Sequence, residues 1–277
     1  MVNFKRKGSL QVLLLCFIVL LILTPFIPLV LASITPLLKW PQIFPEDITL
    51  RSWTYVFFNN PDTWVAVWNS FIIAIFVTVI NIALALPCAH ALARMKVKGK
   101  VLFQGFIYAP IIIPPFISIM GMHTTFISLG LTETIIGVII AHIIPTLPYM
   151  VRALVISFST LGNKYEEQAT MLGATRSMRV RYIIFPMILP GVITGASLSI
   201  LISLSQYLIT FLVSGGQVIT LPLLLFPFIN GGDQAIASVY TILFSILAIG
   251  VLFLMDLFLK KFYGKSVPIS FVRRGSV

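Results

Sequence analysis

The sequence predicts an all-α integral membrane protein of about six transmembrane helices, and three observations carry that prediction. Of the 277 residues, 58% are hydrophobic and 10% charged, with a mean hydropathy of +1.04; a soluble domain carries about 25% charged residues. Apolar runs recur at the length of about 20 residues that a bilayer crossing needs. The basic residues are also sorted: of the 19 Lys and Arg, all but Lys39 and Arg51 fall on one predicted side. That sorting explains the net charge of +11 better than nucleic-acid binding does, and the positive-inside rule then sets both termini in the cytoplasm.

Six segments qualify as spans: Gln11–Ser33, Trp64–Leu92, Val101–Thr125, Glu133–Phe158, Tyr182–Leu212 and Ile236–Phe258. An even number agrees with both termini on one side. The first follows a basic stretch, Lys5 to Lys7, as in a signal peptide. Its apolar run exceeds the usual length of such a segment, so it reads as a retained helix.

The loop Pro36 to Asp62 is expected outside. It and the next residues carry Trp40, Pro41, Pro45, Trp53, Tyr55 and Trp64, read as interfacial anchors or as contacts for an external partner. The second helix holds Ala83, Ala85, Ala89, Ala91 and Ala93, small enough to let a neighbour approach closely. It ends in a basic turn, Arg94 to Lys100. Pro110, Pro114, Pro115, Pro145 and Pro148 punctuate the third and fourth helices. Each removes a backbone donor that buried protein must compensate, whether as an ordinary kink or beside a pathway.

Polar groups inside the spans are few. Asn81 lies in the second, His142 in the fourth, and Ser203, Ser205, Gln206, Tyr207 and Thr210 in the fifth. On a continuous helix Ser203, Gln206 and Thr210 share one face. Such a face meets other helices, water or a solute rather than lipid. Asn81, His142, Ser203, Gln206, Tyr207 and Thr210 are therefore the pathway candidates, with helix–helix hydrogen bonding as the other reading. The segment Ser214 to Asp233 has an apolar core too short to span, broken by Pro222 and Pro227. It reads as a re-entrant or interfacial element on the outer face. Nothing argues for a second domain, so residues 1–277 are expected to form one.

Chemistry-bearing motifs are missing. There is no phosphate-binding loop of the G-x-x-x-x-G-K-[ST] type, no H-E-x-x-H and no G-x-S-x-G. His90, His123 and His142 are too scattered for a metal site, and Cys16 and Cys88 lie in apolar segments, suited to packing. None of the eight carboxylates falls at the centre of a predicted helix, which counts against a proton- or sodium-driven carrier. The chain is expected to hold no cofactor and catalyse no reaction.

The richest stretch runs from Asn163 to Gly191, NKYEEQATMLGATRSMRVRYIIFPMILPG. Asn163 suits an N-cap, with Glu166 completing a capping box. Tyr165, Ala169 and Leu172 share a face. Gly173 fits a helix end where the backbone turns left-handed, and Thr175 can cap a second short helix. This segment resembles the cytoplasmic EAA loop of ABC importer permeases: Glu167, Ala169, Gly173, Ala174, Pro186, Pro190 and Gly191 stand in register with that pattern. Gln168, Val180 and Phe185 depart from it. The resemblance covers about residues 64–262 and is specific around Glu167–Gly191.

It implies a MetI-like permease core, with residues 163–180 as a coupling helix that docks on an ATPase. Glu166, Glu167, Ala169, Gly173 and Ala174 are then the coupling residues. It further implies a cytoplasmic ATPase dimer that holds the ATP and Mg, a second permease subunit beside this chain (heterodimer or homodimer), an extracytoplasmic solute-binding protein and a bacterial-type cell membrane. The tract from Leu204 to Phe226 looks more like the polyamine, phosphonate, thiamine and iron branch than the sugar branch. Polyamine permeases often carry acidic residues near that point, and Ser205 and Gln206 do not supply them. A sugar or compatible-solute permease is the alternative of the same class, and a stand-alone carrier or channel the alternative of another.

Overall fold

The computed structural model describes residues 4–35, 47–95 and 98–266. Expectations for Lys39, Trp40, Pro41, Pro45, Glu46, Lys96, Arg273 and Arg274 lie outside them. Among the described residues the regular elements are all helices: α1 (Phe4–Leu23), α2 (Phe26–Ser33), α3 (Arg51–Thr54), α4 (Asp62–Arg94), α5 (Lys100–Ile112), α6 (Pro115–Ser128), α7 (Ile135–Leu161), α8 (Lys164–Met171), α9 (Arg176–Arg179), α10 (Phe185–Leu204), α11 (Tyr207–Ser214), α12 (Leu221–Asn230) and α13 (Gln234–Ser266), with π-helical segments at Tyr55–Asn59 and Val180–Ile184. Among the described residues, five stretches are long and apolar enough to cross a bilayer: Gln11–Ser33, Asp62–Arg94, Ile135–Leu161, Arg176–Leu204 and Gln234–Phe262.

The expected third span is not one straight helix. α5 and α6 meet at 101°. Pro114 drives the residue before it out of helical geometry, and Ile113 is extended, at φ −72°, ψ 131°. The two halves count as the sixth span only as a bent pair. The expected fifth span, Tyr182–Leu212, is also corrected: α10 stops at Leu204, and Gln206 is extended, at φ −78°, ψ 90°. Across the break Ser205 Oγ donates to its own helix at Ile202 O (2.9 Å), and Tyr207 N donates only two residues back, to Ser205 O (3.0 Å). Serine hydroxyls offer the backbone local partners that compete with the helical ladder.

The chain forms two compact units. One comprises residues 1–64 and 224–246, the other 65–223 and 247–277. In the first, the buried Tyr240 hydroxyl accepts from Asn60 Nδ2 (2.9 Å) and shares a bond with Thr63 Oγ1 (2.7 Å). Phe228 stacks on its ring at 5.5 Å, and Tyr55 stands edge-on to Phe228 at 6.2 Å. The expected interfacial aromatics continue in a second run, with Trp53 on Phe57 and Phe57 against Trp64. The Tyr240 hydroxyl and the Trp64 indole, which donates to Phe57 O at 3.2 Å, have their polar tips satisfied, as amphipathic rings require, while Trp53 Nε1 is buried without a partner.

The second unit holds the core. Ala85, Ala89 and Leu92 of α4, Met150, Leu154 and Phe158 of α7, and Ile188 and Ala196 of α10 form one buried cluster. Ile73 and Val77 of α4, Ile119 of α6, Val138 of α7 and Val213 of α11 form another. Of the expected α4 alanines, Ala85 and Ala89 are buried, Ala91 and Ala93 are half-buried and Ala83 is exposed. α7 and α10 approach so closely that a side chain on Gly191 would enter the space of Ser157, with Ala153 O 3.0 Å away. Gly195 meets Met150 in the same way. Helix association in lipid depends on such small-residue contacts, because lipid removes the usual hydrophobic drive.

Gly191→Val should therefore separate α7 from α10. Overpacking costs roughly 1–3 kcal/mol, and the expected result is a lowered thermal unfolding temperature of the detergent-solubilised protein. An unfolding temperature equal to that of the parent would show that the seam has slack.

Candidate functional site

Polar side chains of four helices meet in the second unit. His142 of α7 is buried; its Nδ1 lies 3.0 Å from Ser203 Oγ of α10 and its Nε2 3.0 Å from Thr210 Oγ1 of α11. Thr210 spends its own proton on Gln206 O at 2.6 Å. A hydroxyl that donates there must accept from His142, so the ring carries its proton on Nε2 and Nδ1 accepts from Ser203. Through His142, α7 bridges the two half-helices across the α10–α11 break.

One turn along α7, Thr146 Oγ1 donates to His142 O (2.6 Å) and accepts from Asn81 Nδ2 of α4 (2.7 Å). Asn81 Nδ2 also lies 3.3 Å from Ser199 Oγ of α10. Asn81 Oδ1 is buried without a partner, so the network keeps one unspent acceptor. Of the pathway candidates, Asn81, His142, Ser203 and Thr210 are thus joined to one another, directly or through Thr146, and buried within this chain. They do not form one helical face with Gln206, because the helix ends between them.

Gln206 and Tyr207 differ. Both are half-buried, and Tyr207 stacks on Phe211 at 5.8 Å. Gln206 lines a cavity of about 100 Å³ with Pro110, Ser118, Ile119, Met122, Ile144, Pro145 and Ile209. The bend of α5–α6 and the break of α10–α11 both open onto it. Irregular backbone at membrane depth is tolerated where it is buried in protein or lines a water-filled cavity.

The Asn163 stretch folds as a helix–turn–helix. Gly173 has φ 81°. Ala174 N donates to Ala169 O (2.9 Å) and Gly173 N to Thr170 O (3.0 Å), the two bonds of a Schellman end. Thr175 caps α9 through Met178 N. The expected capping box is not made. Asn163 has helical backbone and no side-chain cap bond, because Arg94 of α4 takes the Glu166 carboxylate; a charge-assisted pair outcompetes a neutral amide. Glu167 faces solvent, and Ala169 and Ala174 are half-buried. Tyr165, Met171 and Leu172 are 51%, 88% and 87% exposed. Sequence reasoning passed over Arg94, Thr146 and Ser199. Thr146 was findable, standing four residues after His142 on the same helix face.

Helices joined by buried hydrogen bonds, two of them broken beside a cavity, and a polar loop helix with bare apolar side chains define a multi-pass membrane transport subunit. Residues 81–263, about two thirds of the chain, match the family model described as "Binding-protein-dependent transport system inner membrane component". The chain belongs to that family: it is the membrane-spanning permease subunit of an ABC importer. It is 26% identical to the spermidine/putrescine transport system permease protein PotC of Haemophilus influenzae, over 76% of this chain and 82% of that one. It is 27% identical to the sulfate transport system permease protein CysT of Salmonella typhimurium, over 73% and 72%. A crystal structure of a bacterial ABC transporter that imports alginate has a chain of the same fold, with TM-score 0.69 and 17% identity, covering 92% of this chain and 98% of that one. These relatives are transport subunits, and they do not favour a stand-alone carrier.

His142→Leu should remove two interhelical bonds at once. Such bonds are worth about 0.6–1.7 kcal/mol each in membrane proteins, so the variant should unfold at a lower temperature while Gln206→Ala unfolds like the parent. The reverse order would contradict the network described.

Proposed function

We propose that this chain lines half of a translocation pathway for a small polar organic solute of the spermidine/putrescine kind, and that α8 couples it to an ATPase. The observation that carries the coupling role is the bare apolar surface of α8: Tyr165 in its first turn and Met171 and Leu172 at its end stand exposed on a helix closed by a Schellman turn. Exposed apolar patches of this kind mark interaction sites. The partner is a cytoplasmic ATPase dimer, which supplies the ATP and Mg chemistry; Glu167, Ala169, Gly173 and Ala174 shape the docking face.

The remaining partners are a second permease subunit and an extracytoplasmic solute-binding protein. Both termini and α8 are cytoplasmic, which the sorting of basic residues supports. Transport proceeds by alternating access: closure of the ATPase dimer displaces α8, and the helices reorient around the pathway. The solute class is supported by the name of the Haemophilus relative and by the Leu204–Phe226 tract. The cavity offers the Gln206 amide and the Ser118 hydroxyl, and no charged residue lines it. This chain therefore recognises hydrogen-bonding groups rather than neutralising a charge.

Gln206→Ala should change the apparent KM or the maximal rate of uptake while the complex still assembles. Uptake kinetics identical to the parent across the concentration range would leave the cavity as packing.

Gly173→Val tests the coupling role. No atom lies within 4 Å of where its Cβ would stand, so the substitution acts through the backbone alone, with a strain of roughly 1–2 kcal/mol. The chain should reach the membrane at near-normal level, yet uptake and the ATP hydrolysis stimulated by loaded binding protein should be lost. Normal transport by this variant would remove the main support for α8 as the coupling element.

A further inference from the structure

Arg94 ends α4, and its side chain is only 8% exposed despite its charge. Its guanidinium serves two other elements. Nη1 pairs with Glu166 in the first turn of α8, and Nη2 donates to Gly162 O, just past the end of α7, at 2.7 Å. The same group lies 5.5 Å from the ring centroid of Phe158 on α7, and His90, one turn back on α4, stands edge-on to that ring at 5.4 Å. A planar fork can hold two acceptors on two elements at once, which an ammonium on a flexible stem holds poorly. The adjacent acids are thereby divided, with Glu166 turned into the bundle and Glu167 left outside. Another contact of α8, from Arg179 to Thr170 Oγ1, leads only to the neighbouring α9.

We propose that Arg94 is a positioning residue that locks α8 to the ends of α4 and α7, so that displacement of α8 enters the bundle along α4. This rests on the coupling role proposed for α8. α4 is suited to carry the displacement. It is a continuous helix of 33 residues with one interior proline, Pro87, and Asn81, about 20 Å up the helix from Arg94, bonds Thr146 of α7 and lies beside Ser199 of α10. The route from α8 therefore runs through Arg94 and α4 to the helices that flank the Gln206 cavity.

The test reads conformational coupling and needs no identified solute. In a background with Cys16→Ser and Cys88→Ala, Gln206→Cys is labelled with N-ethylmaleimide in the complex purified through a tag on this chain. Labelling rates are compared without nucleotide and with ATP plus vanadate. The parent should show at least a fivefold change. Arg94→Gln should reduce it below twofold while co-purified ATPase and its hydrolysis rate stay within twofold of the parent, Glu166→Gln should do the same, and Arg94→Lys should fall between. If Arg94→Gln does not accumulate, Glu166→Gln, which removes no buried cation, decides the matter. A fivefold change that persists in Arg94→Gln or Glu166→Gln overturns the lock and leaves the coupling reading intact, provided Gly173→Val abolishes it. Loss of co-purified ATPase in the Arg94 variants would make the residue a docking group and also overturn the proposal. No nucleotide-dependent change in the parent would sink the alternating-access reading, and the lock with it.

Discussion

Hydrocarbon offers a polar group nothing to bond, so the buried side chains of Asn81, His142 and Ser203 each reach a polar group on another helix. His142 illustrates the constraint most fully. Its two nitrogens are matched to one donor and one acceptor, Ser203 and Thr210, and the match fixes its tautomer. The fixed ring in turn ties α10 to α11 where one stops and the other begins inside the apolar region, and carbonyls at the end of α10 are taken by Ser205 N and Gln206 N. Without that arrangement the break would leave unpaired backbone in a medium where each such group costs several kcal/mol. The cavity beside Gln206 exists because the break is affordable there.

The small residues act on the same seam from the apolar side. Gly191 and Gly195 bring α10 against α7, and this proximity places Ser199 and Ser203 within reach of residues on α4 and α7. A larger residue at Gly191 would disturb the polar network as well as the packing, since both depend on one interhelical distance. The Pro190–Gly191 pair at the end of the motif therefore has a structural reason. Gly173 has a different one: it lies in open space, and only its backbone conformation demands glycine.

Much of this was legible in the sequence. The spans, the loop helix, the left-handed turn at Gly173 and the cap at Thr175 follow from local signals, namely apolar length and turn chemistry. The two corrections share a cause. Pro114 and the Ser203–Ser205 run interrupt the backbone ladder inside apolar stretches, and hydropathy does not register a broken ladder. The capping box failed for another reason: Glu166 had a distant competitor, Arg94, separated from it by three whole helices. Local pattern reading weighs only neighbours in the chain, so a cation arriving from α4 was beyond it. The grouping of His142 with Ser203 and Thr210 was half visible, since their residue types were singled out, but the helix-periodicity argument used for it does not hold across the break.

The two ends of α4 connect these observations. Near one end, Asn69 Nδ2 donates to Ile219 O and Ser70 Oγ accepts from Leu221 N, fixing the entry to α12. At the other, Arg94 grips α8 and the end of α7. Between them Asn81 bonds Thr146 in the middle of the bundle. A helix interior transmits axial displacement well, because its hydrogen bonds run along the axis, whereas a loop absorbs displacement by rotating a few dihedrals. The continuous α4 carries hydrogen-bonding side chains at Asn69, Ser70, Asn81 and Arg94, whereas the breaks fall in α5–α6 and α10–α11. On the coupling role proposed for α8, a push delivered there would reach, through α4, the interrupted elements that border the cavity.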